Sequence, residues 1–179
     1  MKTIGIIGAM EVEVNTLKER MHVEQVVKMA SMDFYKGTFH DKSVVIVRSG
    51  IGKVNAAICT QILIDQFQAS MIINTGIAGS LQPSINIGDI VISSDALQHD
   101  MDATGFGYPM GVIPQMECSV FNADPFLMDL AAKACAQVNP DIQTHTGRIV
   151  SGDQFISDND KKEFLKENFH GLCTEMEGA

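Results

Sequence analysis

The chain has 179 residues, of which 45% are hydrophobic, and this is enough to bury a sizeable core in one domain over residues 1–179. No apolar run approaches ~18 residues and no secretory signal is indicated, so a cytoplasmic protein outside the membrane is expected. Thirteen basic against 22 acidic residues give a formal charge of −9, which disfavours a nucleic-acid partner. The four cysteines are widely spaced, so reduced core thiols are predicted instead of a zinc site or disulfides.

The N-terminal half is predicted to alternate strands and helices, with one antiparallel interruption. Thr3 to Ile7 is apolar on both faces, as a fully buried strand is, and apolar residues recur at helical spacing from Met10 to Arg20. A helix over 53–67 and a buried strand over 71–74 follow. Between the helices lie three extended runs, 23–29, 32–40 and 42–49, with hairpin breaks at Ala30-Ser31 and Asp41-Lys42.

The C-terminal half continues the alternation around one long loop. Asp124 is predicted to cap a helix that has Pro125 at its first position and runs to about Val138. Residues 100–122 are rich in Gly and Pro without a clear period, which is typical of a functional or interface loop. Further elements are a helix over 158–169 and strands over 90–93 (continuing towards His99), over 144–151 and from Leu172. This order of elements predicts the α/β class.

An acidic pair follows the first strand directly. Glu11 and Glu13 lie in the first turn of the predicted helix, where the helix dipole favours negative charge, so two ordinary helix acids would explain them. In open α/β sheets, however, ligands gather beyond the carboxyl ends of the strands. Glu13 is placed to reach into that crevice, which makes it a candidate catalytic base.

The segment NTGIAGS has the composition of a pocket floor. Gly76, Ala78 and Gly79 leave no bulky side chain to block a planar ligand, so backbone amides can approach it closely. A plain tight turn would look the same. The segment therefore indicates a pocket only in combination with others.

Two segments near the C-terminus add candidate residues. Phe155 and Ile156, just beyond a predicted strand, form either an apolar slot for an aromatic ring or ordinary core. In TEMEGA, Glu175 and Glu177 flank Met176, and on a strand both carboxylates would share one face. Burying two acids in this way is costly unless a polar group meets them.

Three other motifs do not fit their usual functions. SGIGKV lacks the first glycine and the final Ser or Thr of a phosphate-binding loop, and GIIGAM lacks the three-glycine dinucleotide fingerprint. His99 and Asp100 would point to opposite faces of a strand, so with Asp102 they are predicted to form a solvated edge and not a metal site.

Seven segments together resemble a known family: GAMEVEV, SGIGKVNAA, NTGIAG, GDIV, HDMDATGFGY, SGDQFI and TEMEGA. Their order and spacing are similar to those of the bacterial 5′-methylthioadenosine/S-adenosylhomocysteine nucleosidases of the nucleoside phosphorylase superfamily. The resemblance implies a three-layer α/β/α domain with a mixed, strongly curved central sheet, which works as a homodimer. It also implies a hydrolase of methionine salvage that releases adenine and needs no metal or organic cofactor.

The resemblance also implies residue roles. Glu13 matches the carboxylate that activates water, and Glu177 matches the acid that binds the ribose hydroxyls. Phe155 corresponds to the residue stacked on adenine, and Ile156 to the one whose main chain binds the base. The remaining pocket residues are Met10, Ile51, Ala78, Gly79 and Met176, and the loop residues Phe106, Tyr108 and Pro114 match those that close the partner subunit's pocket.

Two departures from the family leave alternatives open. Ile77 stands where many relatives have Ser or Thr, which removes a hydroxyl near the reaction centre. The family also continues beyond Ala179 through a Ser-Asp pair that protonates adenine, so a C-terminally truncated domain is expected. The alternatives are a nucleoside phosphorylase, with Arg48 and Arg148 as candidate phosphate ligands, and an inactive nucleoside-binding fragment.

Overall fold

The computed structural model describes residues 2–179, which divide into two compact units, the first ending at Ile77 and the second covering 78–179. Each unit contains one five-stranded sheet with both parallel and antiparallel neighbours. The predicted α/β class with mixed strand directions is confirmed. The strands are divided between two sheets, five in each. One domain over 1–179 stays a prediction.

The first unit is a sheet between two helices. Its strands are β1 (Thr3–Gly8), β2 (His22–Met29), β3 (Met32–Phe39), β4 (Lys42–Arg48) and β5 (Ala69–Asn74), in the spatial order β2-β3-β4-β1-β5. Its helices are α1 (Glu11–Arg20) and α2 (Lys53–Phe67). β1 runs parallel to β4 and β5, whereas β2, β3 and β4 form the predicted antiparallel meander.

The two helices of the first unit cover opposite faces of its sheet. Val14 of α1 packs with Val44 and Ile46 of β4, whereas Leu63 of α2 packs with the alternate residues Val45 and Val47. Strand residues alternate between faces, so an apolar run such as β4 is buried on both sides. This explains why the short buried strands could be recognised from their continuous hydrophobicity.

The second unit contains β6 (Gly79–Ser80), β7 (Ile90–Gln98), β8 (Val120–Asn122), β9 (Thr144–Ser151), β10 (Cys173–Glu175), α3 (Pro125–Val138) and α4 (Asn159–Phe169). The spatial order is β6-β10-β9-β7-β8. Leu165 and Phe169 of α4 pack on Leu97 of β7 and Val150 of β9. The parallel pairing of β9 with β7 and β10 brings the ends of these strands to one edge.

Helix caps confirm several predicted boundaries. The Asp124 side chain accepts a hydrogen bond from Leu127 N (3.0 Å) and caps α3, which has Pro125 at its first position. Asp158 caps α4 in the same way through Lys161 N (2.9 Å). Such side-chain acceptors satisfy N–H groups that have no partner within the helix.

Three sequence expectations were wrong in detail. The loop 100–122 contains a 3₁₀ turn over Thr104–Phe106 and ends in strand β8, which pairs with β7. His99, predicted on a solvated edge, is fully buried, and Gly152 permits this because a Cβ there would lie 2.4 Å from His99 Nε2. Cys59 and Cys173 are buried thiols as predicted, but Cys118 is exposed.

Among residues 2–179, no helix is both long and apolar enough to cross a membrane.

Candidate active site

The candidate base Glu13 is held by backbone amides at both oxygens. It lies in the first turn of α1, where its Oε2 accepts a hydrogen bond from Met10 N (2.8 Å). Its Oε1 accepts from Ile77 N (3.0 Å), which follows β5. The carboxylate is half-buried and each oxygen receives one N–H, so each keeps a lone pair for a further donor such as water. Glu13 is therefore both the helix acid of the simpler interpretation and an oriented acceptor.

Gly76 makes room for this carboxylate. A Cβ at position 76 would lie 2.6 Å from Glu13 Oε1, which is closer than real contacts allow. By contrast, a Cβ at Gly79 would meet Thr174 only at 3.7 Å, an ordinary contact. The two glycines were predicted to share one role, but only Gly76 is required by close packing.

The other candidate residues of the first unit surround the same end of β1 and β4. Met10, which precedes α1, is half-buried, and Ile51, in the turn after β4, is 53% exposed. Ile77, the departure from the family, is 70% exposed and contributes its backbone N–H to Glu13. A side-chain hydroxyl at position 77 is therefore not needed to hold the carboxylate.

In the second unit, the acidic segment after β9 and β10 is held in a defined shape. Glu175 ends β10, so Glu177 lies beyond the strand and the expected alternation of two strand acids is wrong. The half-buried Glu177 accepts a hydrogen bond at Oε2 from Met176 N (3.3 Å). Glu175 is turned inwards, where its carboxylate accepts a hydrogen bond from Ser151 Oγ. The polar partner that the sequence required for a buried acid is Ser151, which no motif had indicated.

Two adjacent apolar residues in the loop after β9 have different environments. Phe155 is 86% exposed, whereas Ile156 is half-buried and packs on the cluster of Leu81, Leu97 and Val150. An exposed aromatic ring gains nothing for folding, so Phe155 is free to stack on a ligand while Ile156 anchors the loop. The two alternatives, slot or core, therefore apply to different residues.

The remaining candidates in the second unit lie on its surface or in its long loop. Ala78 and Gly79 are exposed, and Gly79 belongs to the two-residue strand β6. Phe106, at the end of the 3₁₀ turn, is 86% exposed and Tyr108 is 36% exposed. Pro114 is half-buried. Phe106 and Tyr108 are two residues apart, and exposed aromatic side chains of this kind are typical of a surface that contacts another molecule.

The carboxylates once considered as metal ligands have structural roles. Asp102 Oδ1 accepts hydrogen bonds from Thr104 N (3.0 Å) and Thr104 Oγ1 (2.7 Å), and these bonds lower the pKa of Asp102. Asp100 Oδ2 accepts from Asp153 N (2.8 Å) and so ties down the loop that carries Phe155. Within residues 2–179, no group of three or more His, Cys, Asp or Glu side chains is arranged to hold a metal ion.

Of the two arginines that a phosphorylase would need, Arg148 is engaged, whereas Arg48 makes only a long, exposed contact with a carboxylate. Arg148 pairs with Asp95 through Nε and donates to Phe169 O through Nη1 (3.2 Å). Arg48 Nε lies 3.7 Å from Glu11 Oε2. A guanidinium bound by a carboxylate is a poor ligand for phosphate, because the phosphate must compete with that partner. This geometry counts against a phosphate site at Arg148, whereas the Arg48 side chain stays exposed.

Comparison with known proteins identifies the class. Residues 3–179 match the family model of the phosphorylase superfamily. The chain therefore belongs to the phosphorylase superfamily.

Several relatives within the superfamily carry the same name. The 5′-methylthioadenosine/S-adenosylhomocysteine nucleosidase of Oceanobacillus iheyensis is 44% identical over 178 residues, which cover 99% of this chain and 76% of the relative. The solved structure of the nucleosidase of that name from Neisseria meningitidis, in complex with methylthio-immucillin-A, matches with a TM-score of 0.94 at 37% identity. It covers 99% of this chain and 77% of that chain. The Colwellia psychrerythraea nucleosidase in complex with adenine matches with a TM-score of 0.93 at 41% identity, covering 99% and 73%.

Proposed function

We propose that this chain hydrolyses the N-glycosidic bond of 5′-methylthioadenosine and S-adenosylhomocysteine, releasing adenine and the thioribose product. The observation that carries the proposal is the carboxylate of Glu13, which two backbone amides orient while each oxygen keeps a lone pair. The similar proteins named above as nucleosidases of these two substrates support the choice of reaction and substrate.

Hydrolysis of this bond needs a water molecule, a base and a stabilised ribosyl cation. In the transition state the C1′–N9 bond breaks, its electron pair leaves with adenine, and the sugar becomes oxocarbenium-like. Glu13 accepts a proton from the water as the new C1′–O bond forms. The adenine takes up a proton from solvent, and Glu13 afterwards returns its proton to solvent, so the products are neutral adenine and a free sugar.

The polar groups of the second unit are proposed to bind the substrate. Glu177 accepts hydrogen bonds from the ribose hydroxyls, and Met176 packs on the sugar. Phe155 stacks on the adenine ring, and the main chain of Ile156 binds the edge of the base. The exposure of the Phe155 ring supports its role, because the ring is available to a ligand.

Apolar residues are proposed to complete the pocket. Met10 and Ile51 form walls near the ribose and alkylthio group, and Ala78 and Gly79 leave room for the ligand. The chain works as a cytoplasmic homodimer in methionine salvage, as the resemblance implies. The loop residues Phe106, Tyr108 and Pro114 close the alkylthio pocket of the partner subunit.

Release of free adenine from 5′-methylthioadenosine in phosphate-free buffer tests the proposal. Hydrolysis predicts adenine at a rate that added phosphate or arsenate leaves unchanged. A phosphorylase would release adenine only when one of these anions is present. Absence of release in every buffer would contradict the proposed hydrolysis.

A further inference from the structure

Glu175 is a half-buried acid, turned inwards, to which the proposed reaction gives no role. It ends β10, where its register partner on β9 is Ser151, and Ser151 is itself fully buried. Ser151 Oγ donates a hydrogen bond to Glu175 Oε1. The main chain fixes the same residue, because Gly152 N donates to Glu175 O (3.1 Å). Glu175 is therefore anchored to β9 by its backbone and by its side chain.

The other carboxylate oxygen of Glu175 reaches forward along the chain. Its Oε2 accepts hydrogen bonds from Glu177 N (2.9 Å) and Gly178 N (2.8 Å). β10 has ended at Glu175, so these two N–H groups lie outside the sheet ladder and receive their acceptor from one side chain. A single carboxylate thus sets the path of the backbone that presents Glu177.

Gly178 fits closely against this carboxylate. A Cβ at position 178 would lie 3.2 Å from Glu175 Oε1 and 3.3 Å from Oε2, tighter than nearly all real Cβ contacts. The small residue and the inward-turned acid therefore fit closely together. A Cβ at position 178 would require the carboxylate to shift by a few tenths of an ångström.

Opposing effects act on the charge of the Glu175 carboxyl. Burial, the largest of them, raises its pKa, whereas the hydrogen bonds from Ser151 Oγ, Glu177 N and Gly178 N oppose this shift. The nearby charge of Glu177 raises the pKa of Glu175 further. An amide in place of the acid could still accept from both N–H groups, while its NH₂ donates to the Ser151 hydroxyl.

We propose that Glu175, held by Ser151, is a positioning residue that fixes the backbone at Glu177 and Gly178 and thereby aims the Glu177 carboxylate at the ribose. The identity of the ligand in this inference rests on the proposed function. The backbone geometry at Glu177 and Gly178 is independent of that function. Glu175 itself need not touch the substrate.

The variants that test this are Glu175→Ala, Glu175→Gln and Ser151→Ala, made in the full chain. Glu175→Ala removes the acceptor of two amides, whereas Glu175→Gln keeps the hydrogen-bonding geometry and removes the charge. Ser151→Ala frees the carboxylate on one side only. Glu163→Ala is the matched control, since Glu163 is an exposed acid of α4 that forms an ion pair with Lys166 of the same helix.

The first readout needs no ligand. Amide hydrogen exchange measured at Glu177 and Gly178 should accelerate at least about tenfold in Glu175→Ala, because each N–H loses its acceptor. In Glu175→Gln and in Glu163→Ala, exchange at these amides should stay within about threefold of wild type. Unchanged exchange in Glu175→Ala would overturn the proposal.

The second readout compares a nucleoside analogue with the free base. Binding of methylthio-immucillin-A should weaken about 10- to 100-fold in Glu175→Ala, because Glu177 is displaced, while binding of adenine changes by less than about threefold. Ser151→Ala should show the same selectivity with a smaller loss, and it decides the matter if Glu175→Ala does not fold. Glu175→Gln should restore most of the affinity for the analogue.

Other patterns would contradict the positioning role. Equal losses in Glu175→Gln and Glu175→Ala would mean that the charge, and not the hydrogen-bond geometry, matters. Equal losses for the analogue and for adenine would mean general damage to the unit. A wild-type protein that binds neither ligand would contradict the proposed function, and the amide exchange would still decide the positioning role.

Discussion

Glu13 in the first unit and Glu175 in the second are both acids that backbone amides hold at the edge of a sheet, but their oxygens are occupied differently. Glu13 is half-buried and accepts one N–H at each oxygen. The Glu175 carboxylate accepts a hydroxyl and two N–H groups in a setting where burial raises its pKa. The Glu13 carboxylate therefore has more free acceptor positions for a substrate water than the Glu175 carboxylate, whose hydrogen bonds hold the local backbone.

The largest effect is expected from Glu13→Gln, which removes the proposed base. Turnover of 5′-methylthioadenosine should fall about 10²- to 10⁴-fold, since the amide cannot accept the proton of water. The affinity for methylthio-immucillin-A, measured by calorimetry, should change much less than the turnover. Glu19→Gln, an exposed acid on the same helix, is the control. Near-normal turnover in the Glu13 variant would remove Glu13 from its role.

Gly76→Ala should disturb the same carboxylate indirectly. The added Cβ would fall 2.6 Å from Glu13 Oε1, so the carboxylate must move. A displacement of this kind should lower kcat/KM about 10- to 100-fold. At Gly105 a Cβ would meet nothing within 4 Å, so Gly105→Ala is the control for a glycine-to-alanine change without a steric clash. The free energy of unfolding is measured for both variants. Wild-type kcat/KM in Gly76→Ala would show that the carboxylate has room to move.

Phe155→Ala and Ile156→Ala should separate ligand binding from folding. Loss of the exposed ring should weaken adenine binding roughly 2- to 12-fold without lowering the melting temperature. Truncation of Ile156, which packs on the apolar cluster, should lower the free energy of unfolding by about 1–3 kcal/mol. Titration with adenine and denaturant unfolding measure the two effects. A reversed pattern would contradict the assignment of the two residues.

The smallest effect concerns the cysteines. Burial raises the pKa of Cys59 and of Cys173 to about 12, and the charge of Glu175 adds to the shift at Cys173. At pH 8 only about one in 10⁴ of such thiols is ionised, so a thiol reagent should label the exposed Cys118 first. Mass spectrometry of the labelled peptides measures the order. Rapid labelling of Cys173 in folded protein would show that the end of β10 opens readily.

Much of the fold could be predicted because its signals are local. The continuous apolar run of β1, the helical period of α2 and the cap at Asp124 each depend on neighbouring residues. The hairpins were found from breaks in the extended runs, although the second turn lies one residue earlier, at His40 and Asp41 with positive φ. Strand β6 has two residues, too few for any period to show.

The parts of the site that depend on distant contacts could not be predicted. Nothing in the sequence around Ser151 indicates that it meets Glu175, 24 residues further on. The burial of His99 likewise depends on Gly152, which is remote in sequence. By contrast, Glu13 was found because its position after a strand is itself a local signal.

If water activated by Glu13 attacks the sugar, the oxygen of that water becomes part of the sugar product, and an isotope label can follow it. The reaction with 5′-methylthioadenosine is run in H₂¹⁸O without phosphate, and the sugar is trapped at once by borohydride reduction. Product sugar incubated alone in H₂¹⁸O for the same time measures spontaneous exchange. The account predicts one ¹⁸O per sugar above that background. An unlabelled sugar or no sugar product would contradict it.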